Sequence, residues 1–217
     1  MNSIELINCS KSYEKNHKKI DVLRNINYKF LKGKFYVIMG ESGSGKSTLI
    51  NIISGLVKSD SGKILFDNKE VKDSNSYAKI RNKNIGLVFQ SFLLHDNLTS
   101  LENVMLPLFI NSSNKNNHAF MLFDSLGLKD RINHYPCELS GGEIQRVAIA
   151  RSLINNPDFI LADEPTGNLD KKNEKFIFEY FKKISSDKCI IVVSHNESIK
   201  KYADIVLILK EGLLYEE

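Results

Sequence analysis

Three stretches of this sequence predict an α/β fold that carries a phosphate-binding loop. Gly40 to Thr48 reads GESGSGKST and fits the pattern G-x-x-x-x-G-K-[ST]. It follows the apolar run Phe35-Tyr36-Val37-Ile38-Met39 and opens a helical pattern in which Leu49, Ile50, Ile52 and Ile53 lie among small polar residues. A second run, Phe159-Ile160-Leu161-Ala162, reads as a buried strand and delivers two adjacent carboxylates, Asp163 and Glu164, at its end. Third, Ile26, Tyr28 and Phe30 alternate with Asn25, Asn27 and Lys29, the pattern of a sheet with one wet face and so of an antiparallel layer. The fold class is therefore α/β: a P-loop NTPase core with a small antiparallel β subdomain and a mostly helical inserted subdomain.

Taken in order, the chain opens with a strand at Ile4 to Asn8, then the polar, turn-like stretch SYEKNHKKID, then the alternating strand around Ile26 to Phe30. Gly55 caps the helix that follows the phosphate loop, SDSG makes a turn, and Ile64-Leu65-Phe66 and Ile85 to Phe89 are further strands, assigned with the others to the antiparallel sheet. From about Phe92 the period becomes helical. Leu101, Val104, Met105 and Leu108 share a face until Pro107 and the polar tract NSSNKNNH, read as a surface loop, interrupt it. Ala119 to Leu126 is another helix, closed by Gly127. The expected division is a single domain over 1–217, with the nucleotide-binding core and β subdomain in 1–91 and 156–217 and the helical subdomain in 92–155.

Bulk properties exclude more than they assign. A chain of 217 residues holds one large α/β domain, and its formal charge of +4 is spread as scattered Lys and Glu, with no nucleic-acid footprint. Cys9, Cys137 and Cys189 lack metal-ligand spacing, which suits a reducing compartment, and Cys189 begins an apolar run as a buried thiol. The start MNSIELINCSKSYEK does not have the make-up of a signal peptide, and no apolar run is long enough to span a bilayer. Any role at a membrane is then expected to come through a partner.

The chemistry follows from residue types at fixed places. Gly40, Glu41, Ser42, Gly43, Ser44, Gly45, Lys46, Ser47 and Thr48 form a curl of backbone N–H groups ahead of a helix N-terminus, which suits the phosphates of a nucleoside triphosphate. Lys46 can reach the β- and γ-phosphates, and the Ser47 hydroxyl can sit on Mg²⁺ with Asp163 opposite. Glu164, turned the other way by strand alternation, can polarise a water. His195 ends the strand Ile190 to Ser194, where such sheets bind ligands, and is equally open to a structural role. In LSGGE, Ser140 and Glu143 make a capping box, while Gly141 and Gly142 are poor helix formers that leave bare N–H groups and room for an anion. One triphosphate already has its cradle in the Gly40 to Thr48 loop. A second anion-binding helix start therefore implies a head-to-tail dimer, in which this helix closes over the partner's nucleotide.

These motifs, in this order and spacing, resemble the ATPase subunit of ABC transporters over essentially the whole chain: GESGSGKST, Gln90 in LVFQ, LSGGE, FILADE, GNLD and the SH of Ser194-His195. LADEPTGNLD, with LENVMLPL downstream of Gln90, resembles the subgroup serving lipoprotein release, macrolide export and bacteriocin or antimicrobial-peptide transport. The resemblance implies ATP and Mg²⁺, with Tyr13 stacked on adenine and Gln90 as a ligand of Mg²⁺ and water that links core to helical subdomain. It further implies Glu164 as catalytic base, Asp170 as a contact across the dimer and His195 on the γ-phosphate, with Ser140, Gly141 and Gly142 completing the partner's site. It places the chain on the cytoplasmic side of the cell membrane, held by a permease that docks near Gln90 to Leu101. There the apolar Phe92, Leu93 and Leu94 fit either docking or an internal contact. Ile144 departs from the Gln or Lys usual at that place, beyond the phosphate-facing turn. The alternatives are a nucleotide-gated regulatory subunit and a soluble ATPase of the same type not coupled to transport.

Overall fold

The computed structural model describes residues 1–15, 17–109 and 116–217. Its centre is a six-stranded sheet in the order β10-β9-β3-β8-β7-β6. β3 (Phe35–Met39) lies between β8 (Cys189–Ser194) and β9 (Ile205–Lys210), with β7 (Phe159–Asp163) and β6 (Ile85–Val88) beyond β8. These pairs are parallel, and β10 (Leu213–Glu216) closes one edge antiparallel to β9. The central strands read as unbroken apolar runs because both faces are covered. Phe35, Val37, Ile160, Ala162, Ile190 and Val192 enter the core on one face, and Tyr36, Ile38, Phe159, Leu161, Ile191 and Val193 enter the core on the other.

The first face is covered by helices α3 (Ser100–Phe109), α4 (Asn116–Ser125), α5 (Gly141–Leu153) and α6 (Lys171–Ile184), through residues such as Val104, Phe123, Ile149, Phe178 and Phe181. The second face meets α1 (Lys46–Ile53) and a four-stranded antiparallel sheet in the order β2-β1-β4-β5. Its strands are β1 (Ser3–Lys15), β2 (Lys18–Leu31), β4 (Ser61–Phe66) and β5 (Lys69–Glu70). In β2 the residues Leu23, Ile26 and Phe30 are buried and Asn25, Asn27 and Lys29 exposed, which is the wet-faced alternation the sequence predicts.

Several expectations need correction. SYEKNHKKID is not a turn in its described part: Ser12 pairs with Asp21, Tyr13 with Ile20 and Glu14 with Lys19, so the hairpin continues with polar side chains outward. Ile85 to Val88 belongs to the parallel sheet beside β7, not to the antiparallel one; three of its four residues are buried, as a core strand requires. Pro107 lies inside α3 without ending it. Of the tract NSSNKNNH, residues 111–115 lie outside the described residues, and Asn116 to His118 begin α4, with His118 Nδ1 2.9 Å from the Ile154 carbonyl oxygen. Helix α2 (Ser74–Asn84) carries no apolar stripe and no fully buried residue. It is fixed by Asp73, which accepts from Ser76 N–H, and by Arg81, which donates to the carbonyls of Ser54 and Gly55. Cys9 and Cys189 are buried and Cys137 is exposed, all three as free thiols. Among the described residues no helix is long and apolar enough to cross a membrane.

Candidate nucleotide site

The phosphate loop leaves the C-terminal end of β3 and turns directly into α1, so its N–H groups and the positive helix end face one point beyond the sheet. Gly45 sits at φ +104°, and a Cβ there would meet Val22 Cγ1 at 2.7 Å; only glycine satisfies both the backbone and the space. A Cβ on Gly40 would lie 2.5 Å from the Leu209 carbonyl oxygen. The Ser44 hydroxyl is buried without a hydrogen-bond partner among the described residues. Lys46 is almost wholly buried and folds back, its Nζ donating to the carbonyls of Gly40 (2.8 Å) and Glu41 (3.0 Å). An orphaned hydroxyl, a loop with no room for a Cβ at Gly40 or Gly45 and an ammonium with one N–H unspent are what a phosphate chain would complete.

At the ends of β7 and β8 the acidic residues take different positions. Asp163 is half-buried and its pKa is raised, first by burial and also by the charge of Glu164, while a hydrogen bond from Ser47 and the charge of Lys46 pull the other way. A carboxylate short of positive charge beside a serine hydroxyl is a fitting pair of oxygen ligands for a hard divalent cation. Glu164 differs from the alternation argument. The strand ends at Asp163, and Glu164 has left-handed backbone (φ +46°), fixed by its N–H to the Val193 carbonyl at 3.0 Å. Its carboxylate therefore swings toward β8, where it lies 2.9 Å from His195 Nδ1 and accepts from the Ser194 hydroxyl at 3.2 Å. A carboxylate can only accept, so Nδ1 carries the proton in this pair and Nε2 is left to face outward. Such a left-handed residue costs about 1–3 kcal/mol and is typical of functional positions.

Gln90 is exposed just past β6, and its Nε2 lies 3.2 Å from where a Cβ on Gly167 would stand, so it borders the loop that follows Glu164. Ser140 caps α5 in the predicted box: Glu143 N–H points at Ser140 Oγ (3.4 Å), and Ser140 N–H donates to Glu143 Oε2 (2.8 Å). Gly141 is open. A Cβ on Gly142 would stand 2.4 Å from the Asn173 side chain, which adds an internal reason for glycine there. Tyr13 is exposed on β1 with Lys11 Nζ 5.4 Å over its ring. It does not line the hollow of about 280 Å³ between β2 and the phosphate loop, whose walls include Ile20, Val22, Gly43 and Ser44; its cross-strand partner Ile20 does. Asp170 caps α6, accepting from the N–H groups of Lys172 and Asn173. Ile144 is half-buried against the core.

Side chains that no motif announces hold this frame. Arg151, near the end of α5, donates from Nη2 to the Phe92 carbonyl (2.8 Å) and from Nη1 to that of Leu93 (2.5 Å), both left-handed residues two and three positions past Gln90. Buried Asn103 of α3 accepts from His95 N–H and donates to the carbonyls of His95, Leu98 and Thr99. Asn173 donates to Asp170 and accepts from Arg146 (2.7 Å), tying the starts of α5 and α6. Of the apolar trio, Leu94 packs on the core, an internal contact, while Leu93 is 55% exposed.

A phosphate loop on the central strand β3 of a parallel sheet, with an acidic pair at the tip of β7 on the far side of β8, defines a P-loop nucleoside triphosphatase. The profile of the ABC transporter family matches residues 23–167. The lipoprotein-releasing system ATP-binding protein LolD of Wigglesworthia glossinidia brevipalpis is 44% identical over 227 residues, covering 100% of this chain and 99% of that protein. The macrolide export ATP-binding/permease protein MacB of Bdellovibrio bacteriovorus is 42% identical over 218 residues, 99% of this chain but 34% of that larger protein. The cassette MJ0796, solved as a dimer, superposes with a TM-score of 0.91 at 40% identity, covering 99% of this chain and 97% of that one. A second dimeric structure of it, in a post-hydrolysis state with ADP and Pi, gives 0.91 at 39% over the same shares. The chain belongs to the ABC transporter family. It is an ATP-binding cassette of the LolD and MacB type, and its chemistry is ATP hydrolysis.

Proposed function

We propose that this cassette powers the movement of a lipoprotein, peptide or small amphiphile across or out of a membrane, working as a two-fold pair bound to the cytoplasmic face of a permease. The observation that carries the reading is the division of the site. One end of the chain's sheet holds the phosphate loop, Asp163, Glu164 and His195, while the bare-glycine start of α5 at Ser140 to Gly142 is a second anion-binding helix end left over for another chain's nucleotide. The substrate class rests on similarity to LolD and MacB.

In this reading Gly40 to Thr48 holds the phosphates and Lys46 offsets their charge. Ser47, Asp163 and Gln90 would hold Mg²⁺, which when bound neutralises charge on the β- and γ-oxygens. Glu164 aligns the attacking water, and His195, fixed through Nδ1, presents its outer nitrogen to the γ-phosphate. Tyr13 borders the base. Residues 92–155 move as a helical subdomain against a core of 1–91 and 156–217, and Asp170 faces the partner chain. The permease docks beside Gln90 to Leu101; a hollow of about 240 Å³ lined by Phe89, Pro107 and Arg151 adjoins the start of that segment without including it.

The test is Glu164→Gln, which removes the base and keeps its shape. With ATP, and not with ADP, the variant is expected to form a stable dimer in size-exclusion chromatography with light scattering. A chain that stays monomeric with ATP at high protein concentration refutes the shared site.

A further inference from the structure

The first turn of α5 carries a negative charge that the proposed reaction does not use. Glu143 Oε2 accepts from the N–H of Ser140 (2.8 Å) and from its hydroxyl (2.7 Å). The second oxygen, Oε1, accepts from Nε of Arg131 at 2.7 Å. Arg131 ends a short 3-10 turn, Lys129–Arg131, in the connection from α4 to α5. The Ser140 hydrogen bonds, first from its N–H and then from its hydroxyl, outweigh partial burial and, with Arg131, hold the Glu143 carboxyl at about 2. Glu143 is therefore a full anion at any working pH.

That anion lies beside the residue meant to meet the partner's nucleotide. A negative side chain in the first turn favours the helix, but it cancels the positive helix end that attracts phosphate. A triphosphate approaching Ser140 to Gly142 would meet a carboxylate hydrogen-bonded to Ser140 itself, and like charges brought together at an interface cost affinity. Resting on the two-chain site proposed above, we propose that Arg131 is a positioning residue for the Ser140 turn. It neutralises Glu143 toward the partner's triphosphate and fixes the carboxylate that orients the Ser140 hydroxyl. The reading differs from a plain structural brace because it assigns the effect to charge. Removing Arg131 leaves an unbalanced anion, and removing both partners restores neutrality.

The experiment uses the full chain carrying Glu164→Gln and measures the ATP-dependent dimer dissociation constant at low and high salt. Added Arg131→Ala is expected to weaken the dimer roughly tenfold or more at low salt, with a smaller loss at high salt. Arg131→Lys should keep most of the affinity. Glu143→Gln, whose amide oxygen can still accept from Ser140 N–H, should dimerise at least as tightly as the Glu164→Gln chain, and adding it to Arg131→Ala should recover most of the loss. ATP affinity of the monomer should not change in any arm, because the phosphate loop belongs to the other half of the site. A double variant as weak as Arg131→Ala alone overturns the charge assignment, as does a salt-independent loss or a weaker dimer from Glu143→Gln. If the Glu164→Gln chain itself fails to dimerise, the shared site has failed and this inference falls with it.

Discussion

Replacing Lys46 with alanine isolates the contribution of one charge. In the structure the ammonium has three N–H donors, of which two are spent on the Gly40 and Glu41 carbonyls at 2.8 and 3.0 Å. One donor and the full charge remain for the phosphates. An opposite charge about 4 Å away at an effective dielectric of roughly 20–40 contributes about 2–4 kcal/mol. At about 1.4 kcal/mol per decade, Lys46→Ala should weaken ATP binding roughly 30-fold to several hundred-fold. The assay is titration of the monomer with ATP, with AMP as the comparison ligand and thermal unfolding as the check that the loop still folds. The loss should be far larger for ATP than for AMP, which lacks the β- and γ-phosphates. Unchanged ATP affinity in a folded variant would mean the loop is not the site. An equal loss for both nucleotides would mean that the lysine acts by shaping the loop through its two carbonyl bonds and not by its charge.

Four further outcomes are expected. Ser140→Arg, combined with Glu164→Gln, should abolish the ATP-driven dimer while monomer binding of ATP largely survives, since it blocks only the second helix end and removes its cap; light scattering and nucleotide titration together decide. His195→Ala takes away the Nδ1 partner of Glu164 and should lower kcat roughly 100-fold with a smaller change in KM; a raised KM with kcat unchanged would assign His195 to binding. Burial alone would raise the pKa of Asp158, but bonds from Lys32, the α-amino group of Met1 and Asn84 hold it at about 2. A depressed carboxyl contributes stability above its unfolded pKa and loses it as pH falls through the folded one. Asp158→Asn should therefore cost about 1–2 kcal/mol near neutrality and converge with the parent between pH 4 and 2 in denaturant titrations. Arg151→Ala should speed amide hydrogen exchange at Phe92 to Leu94 more than in β3 or β8, and uniform acceleration would show that Arg151 holds the whole fold instead.

What the sequence makes legible is chemistry carried by neighbours in the chain. The phosphate loop, the capping box and the apolar strands are local patterns, and each stands where its pattern implies. The hairpin through Ser12 to Asp21 is hidden because its pairing is made by backbone, with polar side chains on the outside. Ile85 to Val88 is clear as a strand, but its sheet depends on which strand lies beside it, and Phe159 is 74 residues from Ile85 in sequence by their numbers. Helix α2 has no stripe to find, whereas α6 does: Ile177, Phe178 and Phe181 have helical spacing and are fully buried. The turn of Glu164 needs a left-handed backbone that strand alternation cannot anticipate. Arg131 and Arg151, and Asn173 in its bond from Arg146, carry no motif because those partners come from other elements, and only the fold brings them within bonding distance.

The geometry of α5 gives those partners a common consequence. From Gly141 to Leu153 at about 1.5 Å per residue the helix is a rod roughly 20 Å long. Its first turn carries the Ser140 cap and the Glu143 pair, and its last grips the Phe92 and Leu93 carbonyls through Arg151. Asn103 ties the next part of that same segment, at His95, Leu98 and Thr99, to α3, which packs against α5. The irregular stretch after Gln90 is therefore fastened to the helices at both ends, while Gln90 itself borders Gly167 and the loop from Glu164. A packed rod transmits rotation without bending, because interiors at protein density yield little. The start of α5 at Ser140 and the Phe92 and Leu93 carbonyls are thus joined through Arg151 and the helix between them. Such coupling is reciprocal by thermodynamic necessity. On the docking proposed above, a permease beside Gln90 to Leu101 and a nucleotide across the dimer would report on one another through the same thirteen-residue helix.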